Sequence, residues 1–528
     1  MKIKIGKNIF ITAIITLIIL CSSIIFIKNN EGKDINELQK KDEKYYSKTL
    51  NLAIYNFDTI NPLLSENKSV IQISNLIFEP LIGVEENYKI TYKLAKECAK
   101  ISDTSYIVKL DESAQWQDGT SVTSKDVEFT VNFIKNNNSI YKNQVENITN
   151  IGILDELTFK INLDRNIQFF EYYLTFPILQ KNMYNDKDIN DRSIVPIGTG
   201  MYKISKIAEN SIILEKNNNY NHLYQDINID TIKILLCKNM EEIYQNFKIG
   251  NIDLIHTNSS GFQKELGKIG YNLKEFKGRQ FDFLAFNCNN EILNDKEIRK
   301  AISYGINQEE ILYEIYNQDG YIANWPIDFG SFIYKNENIN NYDVEAAKKI
   351  LEDSGWRYKY NKWQKYDENG RRYVLEFDLV VLESDITKNK VCEEIKNQLE
   401  QIGIIININR FSYEDYKEKI KQKDFEIMFI EIINGFSPCV DYFYGLENFA
   451  NYKNSEVFEI INEINNIQDQ KVLKEKYDRL IQITSDEVPY IGISRNKEYI
   501  ILNPKFGGEI EENSYNIFSK IITWHVTI

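Results

Sequence analysis

Three histidines, His222, His256 and His525, are all the imidazole the 528 residues contain, and none has a second histidine at helical or strand spacing. That leaves little for metal or acid–base chemistry built on imidazole, nickel coordination included. Six cysteines, Cys21, Cys98, Cys237, Cys288, Cys392 and Cys439, stand far apart with no Cys-x-x-Cys. This excludes a zinc ribbon and a thioredoxin-type site, and it is too sparse for a disulfide framework. Neither His-Glu-x-x-His nor Gly-x-Ser-x-Gly nor a P-loop occurs, and carboxylate pairs among 77 acids are expected by chance. Gly198-Thr-Gly200 leads into a strand without the Lys/Ser pair of a phosphate loop, so it reads as a tight crossing of chain segments. The absence of these motifs argues against an enzyme, and nothing in the residue types calls for a cofactor or a metal. A net charge of −14 and a pI near 5.1 make a polyanion a poor partner, which sets nucleic acid aside.

The length suggests about three to five domain-sized units. Lys2, Lys4 and Lys7 precede an uncharged stretch from Ile9 to Ile27, 19 residues long, close to the ~20 that span a bilayer. Positive charge before it leaves the N-terminus in the cytoplasm and sends the rest outside. Residues 1–27 therefore read as a signal anchor or a signal peptide, and 28–47 as a polar spacer. Cys21 is a candidate for lipidation, although Leu20 before it is not small and apolar sequence continues to Ile27. Either way a large part of the chain is tethered outside the cell, on the outer face of its membrane.

Beyond the spacer, strand and helix signals alternate. Leu50 to Tyr55 and Tyr106 to Leu110 read as strands. Thr123 with Asp126, and Asn294 with Glu297, read as helix caps. Helices over Val344 to Ser354 and Val391 to Ile402 stop at Gly355 and Gly403, and the second runs at once into the apolar strand Ile404 to Ile408. Helix, glycine, buried strand is the pattern of an α/β layer. Arg299, on a capped helix, suits an ion pair with a surface carboxylate.

Several segments in order resemble the family 5 extracellular solute-binding proteins, which serve peptide and nickel ABC importers. They are Asn75-Leu-Ile-Phe-Glu-Pro-Leu-Ile82, Trp116-Gln-Asp-Gly119 leading into Val122-Thr-Ser-Lys-Asp-Val127, and Pro196-Ile-Gly-Thr-Gly-Met-Tyr-Lys203. Leu214-Glu-Lys-Asn-Asn-Asn-Tyr220 and Gly250-Asn-Ile-Asp-Leu254 follow. Phe283-Leu-Ala-Phe-Asn287, Asp295 to Asn307, Ala346 to Trp356 and Asn448-Phe-Ala-Asn-Tyr452 complete the series. The resemblance implies a mixed α/β, two-lobed periplasmic-binding-protein-like fold of the class II type, with a third domain packed on the first lobe. Lobe I would combine 48–75, 194–278 and 496–528; the inserted domain would be 76–193 and lobe II 279–495. A ligand in the interlobe cleft would be captured by hinge closure and passed to ABC permease subunits by a monomeric binding protein.

Peptide-binding relatives grip an extended main chain, and an Asp of the second lobe meets the ligand's amino terminus. Anchoring on Pro438 sets Asn434, Gly435, Phe436 and Ser437 opposite that segment, so Asn434 stands in place of the Asp. Either Asp441 or another carboxylate takes over, or the ligand is not a free-amine peptide; Asp441 itself is otherwise a solvated loop charge. Trp325 is either a cleft platform or a core residue, and Asn287 serves either a hinge backbone or the cleft. Asn56, Phe57 and Asp58, after the first strand, are either ligand contacts or a turn cap. The same fold on a permanent anchor would also suit a receptor for a signalling peptide, or a binder of a nickel chelate or another small solute.

Overall fold

Leu50, Leu52 and Ile54 alternate with half-exposed neighbours, and that period of two makes the strand Thr49–Tyr55. It pairs in parallel with Thr231–Cys237, which continues antiparallel into Ser211–Lys216 and Tyr202–Ala208. The computed structural model describes residues 46–85, 88–184, 191, 193–220, 227–327, 331–334, 342–435, 437–464, 467 and 469–528. Residues 48–526 form one compact unit. The apolar stretch Ile9–Ile27 with Cys21, the spacer up to residue 45, His222 and Phe436 lie outside the described residues.

A second sheet orders Ala95–Ser102, Ser105–Leu110, Thr158–Leu163 and Ile148–Ile153, all antiparallel. Helix Ser124–Asn136 packs beside it, with the Thr123 backbone N–H donating to Asp126 Oδ2 at 2.9 Å as the spacing predicts. The Gly198-Thr-Gly200 segment is a close crossing: a Cβ on Gly198 would lie 1.9 Å from the Ile77 carbonyl oxygen, so only glycine fits. Gln117, from the Trp-Gln-Asp-Gly motif, stitches that crossing by donating to the carbonyls of Ile77, at 3.2 Å, and Tyr202, at 2.7 Å.

The largest sheet orders Leu254–Thr257, Tyr490–Leu502, Asn272–Phe286, Ile427–Ile433, Glu376–Leu382 and Ile405–Phe411, with Gly320–Tyr321 paired onto Tyr490–Leu502. Its two long members, Asn272–Phe286 and Tyr490–Leu502, run antiparallel and their register breaks between Lys277 and Phe281. Asn496 causes that break. Its side-chain oxygen accepts from the Gln280 N–H at 2.9 Å, and a Cβ on Gly278 would sit 2.2 Å from it.

Buried apolar residues fall into four clusters that these two strands connect. One gathers residues between Leu50 and Ile234 with Leu254, Phe276 and several from Ile500 to Val526. A smaller one is built on Cys237 to Leu266 with Tyr499 and Ile501. The other two cover opposite faces of the sheet from Phe281 to Ile493.

Local signals hold with two corrections. The helix Val344–Asp353 ends before Gly355 at φ +84°, and Ile386–Gln401 before Gly403 at φ +89°. The cap expected at Asn294 is Asp295, which accepts from the Glu297 N–H at 3.0 Å; the Asn294 N–H already closes a turn onto Asn290. Among the described residues Arg299 pairs with no surface carboxylate. It is buried, and its guanidinium donates to the carbonyls of Glu487, Val488, Leu293 and Asn294. Those first two carbonyls close helix Gln470–Glu487, whose last turn has no intrahelical donor for them.

Candidate functional site

Where the two long strands lose register, a cavity of about 1110 Å³ opens between chain segments far apart in sequence. Arg279, Gln280, Asn496 and Glu498 form its floor, with His256 and Thr257 from the adjoining strand. One wall is helix Lys68–Ser74 with Tyr88, Tyr141, Tyr172 and Tyr173. Across from it stand Pro326 and Ile327 with Ile432 to Gly435, Ser437 to Val440, and Tyr442.

Local chemistry explains how the first wall is held. Asn67 caps helix Lys68–Ser74, accepting from the Ser69 N–H at 2.9 Å. The same side chain donates to the Tyr55 carbonyl at 2.6 Å, so the end of the first strand and the start of the helix are tied and Tyr55 stands at the cavity rim. On the other wall the Asn434 N–H donates to the Arg279 carbonyl at 3.0 Å, and Arg279 Nη1 returns a bond to the Asn434 carbonyl at 2.7 Å. The walls meet where the Tyr88 hydroxyl donates to the Gly435 carbonyl at 3.3 Å, and the Tyr172 hydroxyl donates to the Tyr88 carbonyl at 2.6 Å.

The lining is rich in tyrosine. Burial pushes the Tyr172 hydroxyl up to about 12 and Tyr173 higher still, so both stay protonated donors at any working pH. Rings with a hydroxyl edge suit a ligand having an apolar body and exposed carbonyls.

Of the residues singled out from sequence, Asn434 and Gly435 line the cavity. The Asn434 amide N–H₂ is turned to the Pro326 carbonyl. Asp58 does not line it: its carboxylate accepts from Thr59 N–H, Ser65 hydroxyl and Glu66 N–H, so it is a turn cap. Asn56, at φ +52°, uses its carbonyl to accept from Asn67, and Phe57 packs on the core. Asn287 lies at the far end of its strand from the cavity, where its amide donates to the Phe425 carbonyl at 2.9 Å and accepts from Asn451 at 3.0 Å. That is the backbone-tying role. Trp325 belongs to the core cluster beside it, 6% exposed, its carbonyl accepting from Arg495; the cavity begins with Pro326. Asp441 starts the short helix Asp441–Tyr444 and is half-buried outside the lining. Burial raises its carboxyl, with Cys439 and Arg165 drawing it partly back. Asp441 is thus neither the solvated loop charge nor a cleft acid.

Sequence reasoning passed over Glu498, and it weighed His256 only as a metal ligand. These two side chains meet at 2.8 Å in the cavity floor although 242 residues separate them. No local spacing carries that signal. The five described cysteines are free thiols, and burial pushes Cys98 up to about 12 and Cys237 up to about 11, which makes them unreactive.

Residues 89–454 match the model of the bacterial extracellular solute-binding proteins, family 5 Middle. The chain belongs to that family. Members are the non-enzymatic binding components of ABC transporters and act outside the cytoplasm. Among curated proteins the chain is 22% identical to the oligopeptide-binding protein AppA of Bacillus subtilis over 515 residues, which are 91% of this chain and 92% of that one. It is also 22% identical to the nickel-binding protein NikA of Staphylococcus aureus over 442 residues, 81% of this chain and 84% of that one. Among solved structures, the murein tripeptide binding protein MppA in its unliganded open form superposes with a TM-score of 0.75 at 16% identity, covering 91% of this chain and 98% of that one. Among the described residues no helix is long and apolar enough to cross a membrane.

Proposed function

We propose that this family 5 protein captures peptides in its cavity by closure of two lobes and hands them to an ABC permease. The observation that carries this reading is the cavity itself. At about 1110 Å³ it is at the upper end of what small-molecule ligands fill. Its walls present tyrosine rings and hydroxyl donors, a lining that holds an extended main chain while tolerating varied side chains. Among the described residues no group of three His, Cys, Asp or Glu side chains is placed to hold a metal ion, which disfavours bare nickel as cargo.

In this proposal the lobes are 48–75 with 194–278 and 496–528, and 279–495, with 76–193 added to the first. The hinge is the register break around Gly278 and Asn496, where the strands already depart from regular pairing. The protein works as a monomer tethered by residues 1–27, as an anchor or through lipid on Cys21. Native mass spectrometry of the full chain, purified in mild detergent without denaturation, tests the reading. A ladder of masses matching mixed short peptides is expected; a single adduct carrying nickel overturns it.

A further inference from the structure

Three carboxylates line the cavity: Glu66, Glu265 and Glu498. The first two are exposed, so water screens them. Glu498 is different. It sits on the strand Tyr490–Leu502 in the cavity floor, with its side chain 16% exposed. Its partner is His256 Nε2 at 2.8 Å, and that imidazole lies parallel to the Phe276 ring with centroids 6.2 Å apart. The stack and the hydrogen bond hold the carboxylate in one orientation. No lysine or arginine among the described residues forms an ion pair with it. An imidazole supplies a hydrogen bond but not the permanent charge of a lysine or arginine. A carboxylate so placed is half desolvated and oriented, and it faces a ligand-sized space. A cation entering that space gains a charge-assisted hydrogen bond stronger than one made at the surface.

We propose that Glu498, oriented by His256, is the seat for an ammonium group of the ligand. This rests on the peptide reading, and the ammonium is either the peptide's amino terminus or a lysine side chain.

The test loads the full chain, in detergent, with three pools of random pentapeptides free of arginine, and reads retained masses by native mass spectrometry. The first pool has free amino termini and no lysine, the second is acetylated without lysine, and the third is acetylated with one lysine. Retention of the first or third pool about tenfold over the second is expected, and which of them is retained identifies the source of the ammonium. Glu498→Gln should bring that ratio near one by lowering retention of the ammonium-bearing pool. His256→Gln should keep the preference, within about threefold, because the carboxylate remains. A ratio unchanged in Glu498→Gln, or an equal loss of all three pools in it, overturns the seat and leaves peptide capture standing. Equal binding of all pools by the unaltered chain does the same. Retention of no pool overturns the peptide reading and this inference with it.

Discussion

Asp282 and Glu498 lie on the two long strands that connect the apolar clusters, one on each, and their surroundings treat the two charges in opposite ways. Asp282 is 1% exposed and takes the Lys388 ammonium, the Tyr316 hydroxyl at 2.5 Å and the Ser494 hydroxyl at 3.2 Å on one oxygen. Burial alone would lower the Lys388 ammonium, but Asp282, together with Glu431 and Asp385, outweighs it and holds the group above its ordinary value. Glu498, in the cavity floor, has the His256 imidazole and, among the described residues, no lysine or arginine ion pair. A buried carboxylate with a permanent cation against it belongs to the architecture, because removing either partner strands a charge. One given only an oriented hydrogen bond is left with charge to offer a ligand.

Lys388→Met is the hardest way to break that comparison. It leaves Asp282 buried without its cation and should lower stability by about 3–5 kcal/mol, read from the denaturant midpoint of the full chain. Adding Asp282→Asn should recover most of the loss. Because the Lys388 value is raised in the fold, its contribution is present below the ordinary lysine value and is lost only as pH rises through the raised one. The midpoint difference between wild type and Lys388→Met should therefore stay flat from neutral pH to about pH 9.

Arg299→Lys tests a buried cation that serves carbonyls and, among the described residues, has no carboxylate on it. A lysine cannot reproduce the planar fork to four acceptors, and a loss of about 2–3 kcal/mol in the same titration is expected.

Asp441→Asn probes a half-buried acid outside the cavity lining that has no lysine or arginine ion pair among the described residues. Its carboxyl is raised by burial, so the folded state binds a proton more readily than the unfolded chain and wild type gains stability as pH falls through the raised value. The variant should be the more stable at pH 8, with the difference shrinking toward pH 4; melting curves at the two pH values decide it.

His256→Gln should move stability least, by less than about 1 kcal/mol, since its pair with Glu498 is partly solvated. A loss as large as that of Lys388→Met would erase the distinction between the two carboxylates.

Much of the fold was legible residue by residue. Thr123 with Asp126, Gly355 after one helix and Gly403 after another are read within four residues of chain, the range over which helix ends are satisfied. The order of motifs from Asn75 to Tyr452 was enough to suggest the family. The site was legible only in part. Asn434 and Gly435 reach the cavity, while Trp325, next to Pro326 in the lining, serves the core, and Asn287, at the other end of the strand that carries Gln280, serves the backbone. Strand geometry decides such cases, because one step along a strand changes the face and a few steps change which end of the sheet a residue reaches.

By itself the amino-acid sequence determined what depends on near neighbours: the alternation of Leu50, Leu52 and Ile54, the capped helices, the glycine stops and the lack of a catalytic motif. Only the tertiary structure decided which polar groups share a space. Asp58 turned into its own loop because Thr59, Ser65 and Glu66 offered it donors first. His256 met Glu498 because antiparallel pairing sets His256 opposite Ile500, two residues beyond that carboxylate. Local signals act through bonds spanning three or four residues, whereas a cavity is made by sheet register between strands hundreds of residues apart.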